Sequence, residues 1–163
     1  MKYNKIVYPD GQISAEILDI TYPYVITERI NSYEDLFLIK SLSEALDYKN
    51  IKNRHLKIPC LFGQRSDRRF SENNSFDLKI IADFINSCGF MDVEIFDPHS
   101  DVALALIHNS HKRSSLEFVR RVVEDVFPTN DGDLSKPESG YGDFVKASKK
   151  YKIEIKVIPQ LFD

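Results

Sequence analysis

Three arginines and one aspartate stand close together in the polar stretch 63–74, between an apolar run and the start of a predicted helix. The planar guanidinium group of arginine binds phosphate through two parallel hydrogen bonds, so such a cluster is typical of a phosphate site. The alternative is a solvated surface loop in which the arginines pair with the aspartate and with Glu72. The residue types leave both interpretations open. The four residues are Arg65, Asp67, Arg68 and Arg69.

A second cluster, Asp-Pro-His-Ser-Asp at 97–101, contains two carboxylates and an imidazole within five positions. Mg²⁺ prefers oxygen ligands and keeps several waters, so one or two such groups beside the phosphates of a substrate are sufficient to hold it. The alternative is that Asp97 or Ser100 caps the next helix and His99 has no role. The other histidines are interpreted as surface residues; they are His55, His108 and His111.

Composition and absent motifs exclude several functions. The chain has 163 residues and a formal net charge of -3, which argues against a general polyanion binder, so we expect no nucleic-acid partner. It contains no phosphate-loop, GxSxG or GxGxxG motif. No apolar stretch is long enough for a signal peptide or a membrane span, and Cys60 and Cys88 lie in apolar contexts typical of core cysteines in a reducing compartment. We therefore expect a cytoplasmic protein without a membrane partner.

Apolar spacing predicts strands and helices in alternation. Such alternation is typical of an α/β fold with a largely parallel sheet. Ser32 and Asp35 form a predicted capping box at the start of the first helix, and Gly89 stands where a helix ends in a left-handed turn. The predicted strands are 5–8, 13–20, 22–30, 56–62 and 93–96, and the predicted helices are 33–48, 75–88, 101–107 and 115–126.

The order of these elements places the two polar clusters. Each cluster follows a predicted buried strand, 56–62 or 93–96, and precedes a predicted helix. In an open α/β sheet, ligands bind outside the carboxyl ends of the strands, where loops meet helix N-termini. Both clusters therefore occupy the place where we expect a ligand, outside the carboxyl ends of the predicted strands.

The sequence changes character after Phe127. Pro, Gly, Asp, Asn and Ser dominate the next residues and predict a linker. A short helix at about 143–150 and a strand at 152–158 are predicted beyond it. We therefore expect an amino-terminal domain at 1–126, followed at 127–163 by a linker and the start of an incomplete second α/β domain.

The stretch from Leu61 to Leu106 resembles the amino-terminal domain of ribose-phosphate diphosphokinases, also called phosphoribosyl pyrophosphate synthetases. The family pattern is an apolar strand, a segment of the type Tyr-Ala-Arg-Gln-Asp-Arg, a mobile loop, a helix that ends in glycine and a strand that ends in Asp-Leu-His. Gln64-Arg65-Ser66-Asp67-Arg68 and Asp97-Pro98-His99 match its two polar segments without a gap. The resemblance implies a phosphoribosyltransferase-like (Rossmann-like) fold, with a mostly parallel sheet flanked by helices.

The turn Tyr8-Pro9-Asp10-Gly11-Gln12 resembles the family's Phe-x-Asp-Gly-Glu turn, which contacts adenine from a neighbouring subunit. The resemblance therefore implies a homo-oligomer in which two subunits bind one ATP molecule. His99 is then expected near the magnesium-bound phosphates, as a catalytic residue and a metal ligand, with Mg²⁺ as the cofactor. The ATP-binding residues implied are Arg65 and Asp67 of one subunit and Tyr8, Asp10 and Gln12 of the other.

The activity that the resemblance implies is transfer of pyrophosphate from Mg-ATP to the 1-hydroxyl of ribose 5-phosphate or a related ribose phosphate ester. The family's second domain supplies a metal ligand in a Pro-Asp-Ala-Gly segment, and Pro137-Glu138-Ser139-Gly140 stands at that place, so Glu138 is the expected ligand. The family's Lys-x-Arg pair and ribose-binding loops have no match. We therefore expect catalysis to need a complementing second half or a related full-length chain. The alternative is a non-catalytic associated subunit that binds nucleotide or a partner.

Overall fold

Residues 1–116 are described by the computed structural model, and they contain a β-hairpin followed by alternating strands and helices. Residues Met1–Ser115 form one compact unit. The predicted boundary at 126, the second domain at 127–163 and Glu138 lie outside the described residues. The elements are β1 (Lys2–Val7), β2 (Ile13–Asp19), β3 (Tyr24–Thr27), α1 (Tyr33–Tyr48), β4 (Arg54–Ile58), α2 (Asp77–Asn86), β5 (Asp92–Phe96), α3 (Asp101–Leu106) and β6 (Ser110–Arg113).

Four parallel strands in the order β3-β4-β5-β6 form the main sheet, which confirms the predicted α/β fold. The hairpin of β1 and β2 is a separate antiparallel sheet. Each parallel strand pairs with the next one along the chain, and right-handed crossovers then bring α1, α2 and α3 to the same face. The side chains of β4 and β5 that pack into the core with the helices are at most 1% exposed; they are Leu56, Ile58, Val93 and Ile95.

The first helix starts where its capping box predicts. Ser32 Oγ accepts a hydrogen bond from the Asp35 N–H (3.3 Å), and the Asp35 carboxylate accepts one from the Ser32 N–H (3.0 Å). The buried stripe of α1 belongs to the same core as the sheet; burial of each such leucine or isoleucine stabilises the fold by roughly 1.5–3 kcal/mol. The stripe consists of Leu36, Ile39, Leu42 and Leu46.

A buried arginine joins three elements at the amino edge of the sheet. Arg54, the first residue of β4, is 3% exposed. Its guanidinium donates to the carboxylate of Asp47 near the end of α1 (2.6 Å) and to the backbone carbonyl of Cys88 after α2 (Nε to O, 3.0 Å). It also lies over the ring of Phe90, 5.9 Å from the centroid. The guanidinium also donates to the carbonyls of Ser43 and Ile51, so the buried charge is satisfied by an anion, three carbonyls and an aromatic face.

The strand β6 differs from the sequence-based prediction, which has no strand between the helices predicted at 101–107 and 115–126. Its sequence, Ser-His-Lys-Arg, has no apolar residue, so no strand pattern is visible. His111 of β6 lies beside Asp92 of β5 (Nδ1 to Oδ1, 3.0 Å), and His55 of β4 lies 3.8 Å from the same carboxylate. These histidines are therefore cross-strand neighbours of an aspartate, on the sheet face that no described helix covers.

Two further expectations concern solvent and membrane. Cys88 is buried as predicted, but Cys60 is exposed, because it follows the end of β4 and lies in the connection to α2. None of the helices in residues 1–116 has both the length and the apolar character that a membrane span requires.

Candidate functional site

Two loops meet at the carboxyl edge of the parallel sheet. The arginine loop, residues 63–74, follows β4, and the histidine loop, residues 97–100, follows β5. The N–H of His99 donates to Oε1 of Gln64 (2.7 Å), and Oγ of Ser100 donates to Oδ2 of Asp67 (3.1 Å). The structure thus brings the two polar clusters of the sequence together, as the topology of a parallel sheet requires.

The arginine loop begins with a tight turn over α2. Gly63 has a φ of +74°, which glycine adopts without strain, and a Cβ added there would lie 2.5 Å from Cδ1 of Ile81. Farther along, the N–H of Leu78 in the first turn of α2 donates to the carbonyl of Ser66 (3.3 Å). These two contacts hold the loop against the start of α2.

Asp67 is a buried carboxylate that links the two loops. It is 7% exposed and accepts hydrogen bonds from Nε of Arg68 (2.8 Å) and from Ser100. The hydrogen bond from Arg68, with a smaller effect from Ser100, holds the pKa of Asp67 below its usual range, although burial acts in the opposite direction. Asp67 is therefore ionised, and both of its oxygens are bound by groups of the same chain.

The three arginines of the arginine loop have different surroundings. Arg68 is paired with Asp67, and Arg69 donates to the backbone carbonyl of Asn74. Arg65 is exposed and has no hydrogen-bond or ion-pair partner within residues 1–116. The interpretation as a loop whose arginines pair with Asp67 and Glu72 therefore fits Arg68, whereas Arg69 binds a backbone carbonyl and the guanidinium of Arg65 is available to an anion from outside.

The histidine loop begins with a residue in the left-handed region. Asp97 has a φ of +47°, which aspartate tolerates better than most residues. Its N–H donates to the carbonyl of Arg113 (2.9 Å), and its carboxylate accepts a hydrogen bond from Ser115 (3.0 Å). Ser100 occupies the N-cap position of α3, but its hydroxyl makes no capping bond. The capping interpretation is therefore wrong for Ser100, whose hydroxyl binds the arginine loop instead.

Mg²⁺, the metal that the resemblance implies, fits the described donors as a partner of phosphate oxygens. Residues 1–116 contain no group of three or more histidine, cysteine, aspartate or glutamate side chains that could hold an ion. A magnesium ion carried by substrate phosphates needs only one or two protein oxygens. Asp97 and His99 are both exposed on the histidine loop, and the carboxylate is the better donor for this hard cation.

The hairpin turn between β1 and β2 forms a separate surface. The N–H of Gly11 donates to the carbonyl of Tyr8 (2.9 Å), and the N–H of Gln12 donates to the carboxylate of Asp10 (3.0 Å). Together with Pro9 these side chains line an open depression of about 510 Å³. Within residues 1–116, no hydrogen bond or ion pair joins this turn to the arginine or histidine loops.

The sequence does not predict that Gln64 and Ser100 link the two loops. The one sequence feature that marks Gln64 is a departure from the family pattern, because it stands where the segment Tyr-Ala-Arg-Gln-Asp-Arg has alanine. Its partner, the N–H of His99, lies 35 positions away and carries no sequence mark of its own.

No protein-family model matches the chain, and no curated protein matches it. Among solved structures, the protein is similar to the crystal structure of phosphoribosylpyrophosphate synthetase from Mycobacterium smegmatis, with a TM-score of 0.64 and 11% sequence identity. The match covers 76% of this chain and 43% of that one, so this chain spans less than half of the length of its neighbour. This similarity shows the fold class, and the protein has a phosphoribosyltransferase-like α/β fold.

Proposed function

We propose that the protein binds Mg-ATP at the carboxyl edge of its parallel sheet and acts in a reaction of the ribose-phosphate diphosphokinase type. The observation that carries the proposal is the free guanidinium of Arg65, on a loop that is hydrogen-bonded to the loop of His99. In α/β sheets of this kind, anionic ligands bind outside the carboxyl ends of the strands, and arginine binds phosphate through two donors. The fold of the solved neighbour supports the same proposal.

The proposed reaction transfers one pyrophosphate group and releases AMP. The 1-hydroxyl oxygen of ribose 5-phosphate, or of a related ribose phosphate ester, attacks the β-phosphorus of ATP. The bond from this phosphorus to the oxygen of the α-phosphate breaks, AMP leaves, and the proton of the hydroxyl passes to water. Such reactions depend on positioning and on stabilisation of the phosphate charge.

The residues of the two loops have different roles in the proposed reaction. Arg65 binds phosphate oxygens, and His99 donates a hydrogen bond to the same phosphates from the adjoining loop. Asp67 holds the two loops together through the hydrogen bond from Ser100, while Arg68 of its own loop is paired with its carboxylate. Mg²⁺, when bound to the phosphates, neutralises part of their charge and makes the β-phosphorus more electrophilic.

We place the adenine on the hairpin turn of a second copy of the chain, or of a related full-length chain. Tyr8 is 46% exposed and can stack on a purine, while Asp10 and Gln12 offer acceptors and donors for its polar edge. The side chains of this turn are exposed and therefore accessible to a second copy, which supports a shared site. Because ATP and sugar phosphates are intracellular metabolites, the proposed location is the cytoplasm.

Titration calorimetry with Mg-ATP tests the nucleotide site. We expect heat of binding from the wild-type chain, and Arg65→Ala weakens the affinity by about tenfold, because a charge-assisted bidentate contact is lost. Lys49→Ala is the matched control, since it removes one exposed positive charge beyond the end of α1, at the opposite edge of the sheet. The absence of heat at millimolar Mg-ATP, from folded protein, would exclude the site, as would equal effects of the two substitutions.

An assay of AMP formation from ATP and ribose 5-phosphate separates the enzyme from the alternative. AMP formed by the chain, alone or with a second-half or full-length relative that is inactive by itself, supports the transferase. Binding of Mg-ATP without AMP formation in either mixture supports a non-catalytic associated subunit.

A further inference from the structure

We propose that Gln64 is a positioning residue that holds the arginine loop and the histidine loop in one arrangement for the nucleotide phosphates. The inference rests on the proposed binding of Mg-ATP. It goes beyond the resemblance, because the family pattern has alanine at this position. Gln64 acts through its neighbours and does not itself contact the phosphates.

Both polar atoms of the Gln64 side-chain amide are bound by backbone groups. Its Oε1 accepts a hydrogen bond from the N–H of His99 (2.7 Å), and its Nε2 donates to the carbonyl of Leu61 (2.9 Å). The two partners fix the orientation of the amide, because a flipped group would put its NH₂ against an N–H and its oxygen against a carbonyl. The bridge therefore has a single geometry, which ties the histidine loop to the segment that follows β4.

The bridge is one of two side-chain links between the loops. The other is the hydrogen bond from Ser100 to Asp67. A single hydrogen bond would allow the two loops to rotate relative to each other. Two hydrogen bonds at successive residues of the histidine loop fix both its distance from the arginine loop and its orientation relative to that loop. Because the first link holds the backbone N–H of His99, the backbone of the histidine loop keeps a constant position relative to Gln64, the residue that precedes Arg65.

A fixed arrangement raises affinity without adding a contact to the ligand. If the loops occupy the competent arrangement for only a fraction of the time, the observed affinity falls by that fraction. Loss of one neutral hydrogen-bonded bridge at such a site corresponds to an affinity about three- to tenfold weaker. The substitution is therefore expected to weaken the affinity for Mg-ATP by more than a loss of folding stability alone would explain.

The chain contains a matched control for this distinction. Asn86, the last residue of α2, makes the same kind of bridge at the opposite, amino edge of the sheet. Its Nδ2 donates to the carbonyl of Leu106 (2.9 Å), and its Oδ1 accepts from the N–H of His108 (2.8 Å). Like Gln64, it is partly buried. Substitution of Asn86 therefore removes two hydrogen bonds of the same kind, at a site far from the two loops.

The test compares Gln64→Met and Asn86→Leu with the wild type, with Gln64→Ala as a second variant should the first fail to fold. Titration calorimetry with Mg-ATP gives the affinity, thermal unfolding gives the stability, and amide hydrogen exchange reports on the N–H of His99. We expect Gln64→Met to bind Mg-ATP about three- to tenfold more weakly and to exchange the His99 amide faster. Asn86→Leu keeps the wild-type affinity and the slow His99 amide, with a similar loss of thermal stability.

The outcomes separate this inference from the proposed function. If Arg65→Ala weakens Mg-ATP binding but Gln64→Met does not, the positioning role is wrong and the nucleotide site stands. Equal losses of affinity in Gln64→Met and Asn86→Leu also contradict the positioning role, because they indicate a general loss of stability. If the folded wild-type chain binds no Mg-ATP, the proposed function fails, and a role of Gln64 in nucleotide binding fails with it.

Discussion

The guanidinium of Arg54 and the carboxylate of Asp47 form a hydrogen-bonded ion pair (2.6 Å) between the first residue of β4 and the last turn of α1. The arginine side chain is 4% exposed and that of the aspartate 41% exposed, so the cation is buried and the anion stands at the surface. The pair closes the amino edge of the sheet, opposite the edge where the two loops meet.

Replacement of this buried cation should lower the stability of the whole unit. Arg54→Met leaves the carbonyl of Cys88 and the carboxylate of Asp47 without their main donor, and we expect a loss of about 2–4 kcal/mol in the free energy of unfolding. Urea denaturation measures it. Lys52→Ala is the control, because its ammonium also lies 2.6 Å from Asp47 but is 70% exposed, so the loss stays below about 1 kcal/mol. Equal losses would show that burial of the arginine is not the cause.

The same pair predicts a pH dependence. The hydrogen bond from Arg54, followed by that from Lys52, lowers the pKa of Asp47 from 3.8 to about 2. Because the folded pKa is the lower one, this carboxylate stabilises the fold above about pH 4, and the contribution is lost as the pH falls towards 2. The difference in unfolding free energy between wild type and Asp47→Asn should therefore be constant near neutral pH and shrink between pH 4 and pH 2. A difference that does not change over this range contradicts the assignment.

The turn at the start of the arginine loop should be specific for glycine. Gly63→Ala adds a methyl group that meets Ile81 Cδ1, and we expect it to cost roughly 1–3 kcal/mol more than Gly11→Ala. Gly11 also has a positive φ (+86°) but no atom within 4 Å of an added Cβ, so it isolates the backbone effect. Chemical denaturation of both variants measures the difference.

A double variant checks the cause of that difference. Ile81→Val removes the Cδ1 atom, so the cost of Gly63→Ala should be smaller in the Ile81→Val background than in the wild type. If the losses of unfolding free energy from the two substitutions are additive, the contact with Cδ1 of Ile81 is not the cause, and the backbone conformation of the loop is.

If two subunits share one nucleotide site, two variants that each bind Mg-ATP weakly should restore binding when they are mixed. Tyr8→Ala and Arg65→Ala each remove one half of the proposed site and should each bind Mg-ATP weakly. If the two chains are refolded together as dimers, half of the dimers are mixed and each has one intact site, so about a quarter of the sites recover. Calorimetric stoichiometry of the mixture measures this fraction. No recovery in a mixture shown to contain mixed oligomers would place both residues in the same chain's site, or exclude the turn from it.

Much of the fold can be predicted from the sequence because its elements are locally encoded. The capping box at Ser32 and the helical spacing that follows it determine α1, and the apolar run around Leu56 predicts β4 as a buried strand. The strand β6 is different, because its pairing with β5 depends on a neighbouring strand end and on the pairing of His111 with Asp92, neither of which leaves an apolar pattern.

The candidate site divides in the same way. Parallel strands end at one edge, so the meeting of the arginine loop and the histidine loop follows from topology alone. The links that fix them do not, because Gln64 and Ser100 each bind a group more than 30 positions away. Residue type suggested a helix cap for Ser100, and only the tertiary structure shows that its hydroxyl turns to Asp67.

The strand order also determines how this part of the chain can assemble during synthesis. Each parallel strand pairs with the one made immediately before it, so every new strand and helix meets a sheet edge that already exists. No strand has to be inserted between two others, and each pairing closes a segment no longer than one crossover, so the contact order is lower than in a sheet whose neighbouring strands are more distant in the sequence. Within residues 1–116, the sheet and the two loops at its edge can therefore form in the order of translation, with β6 added last among these strands.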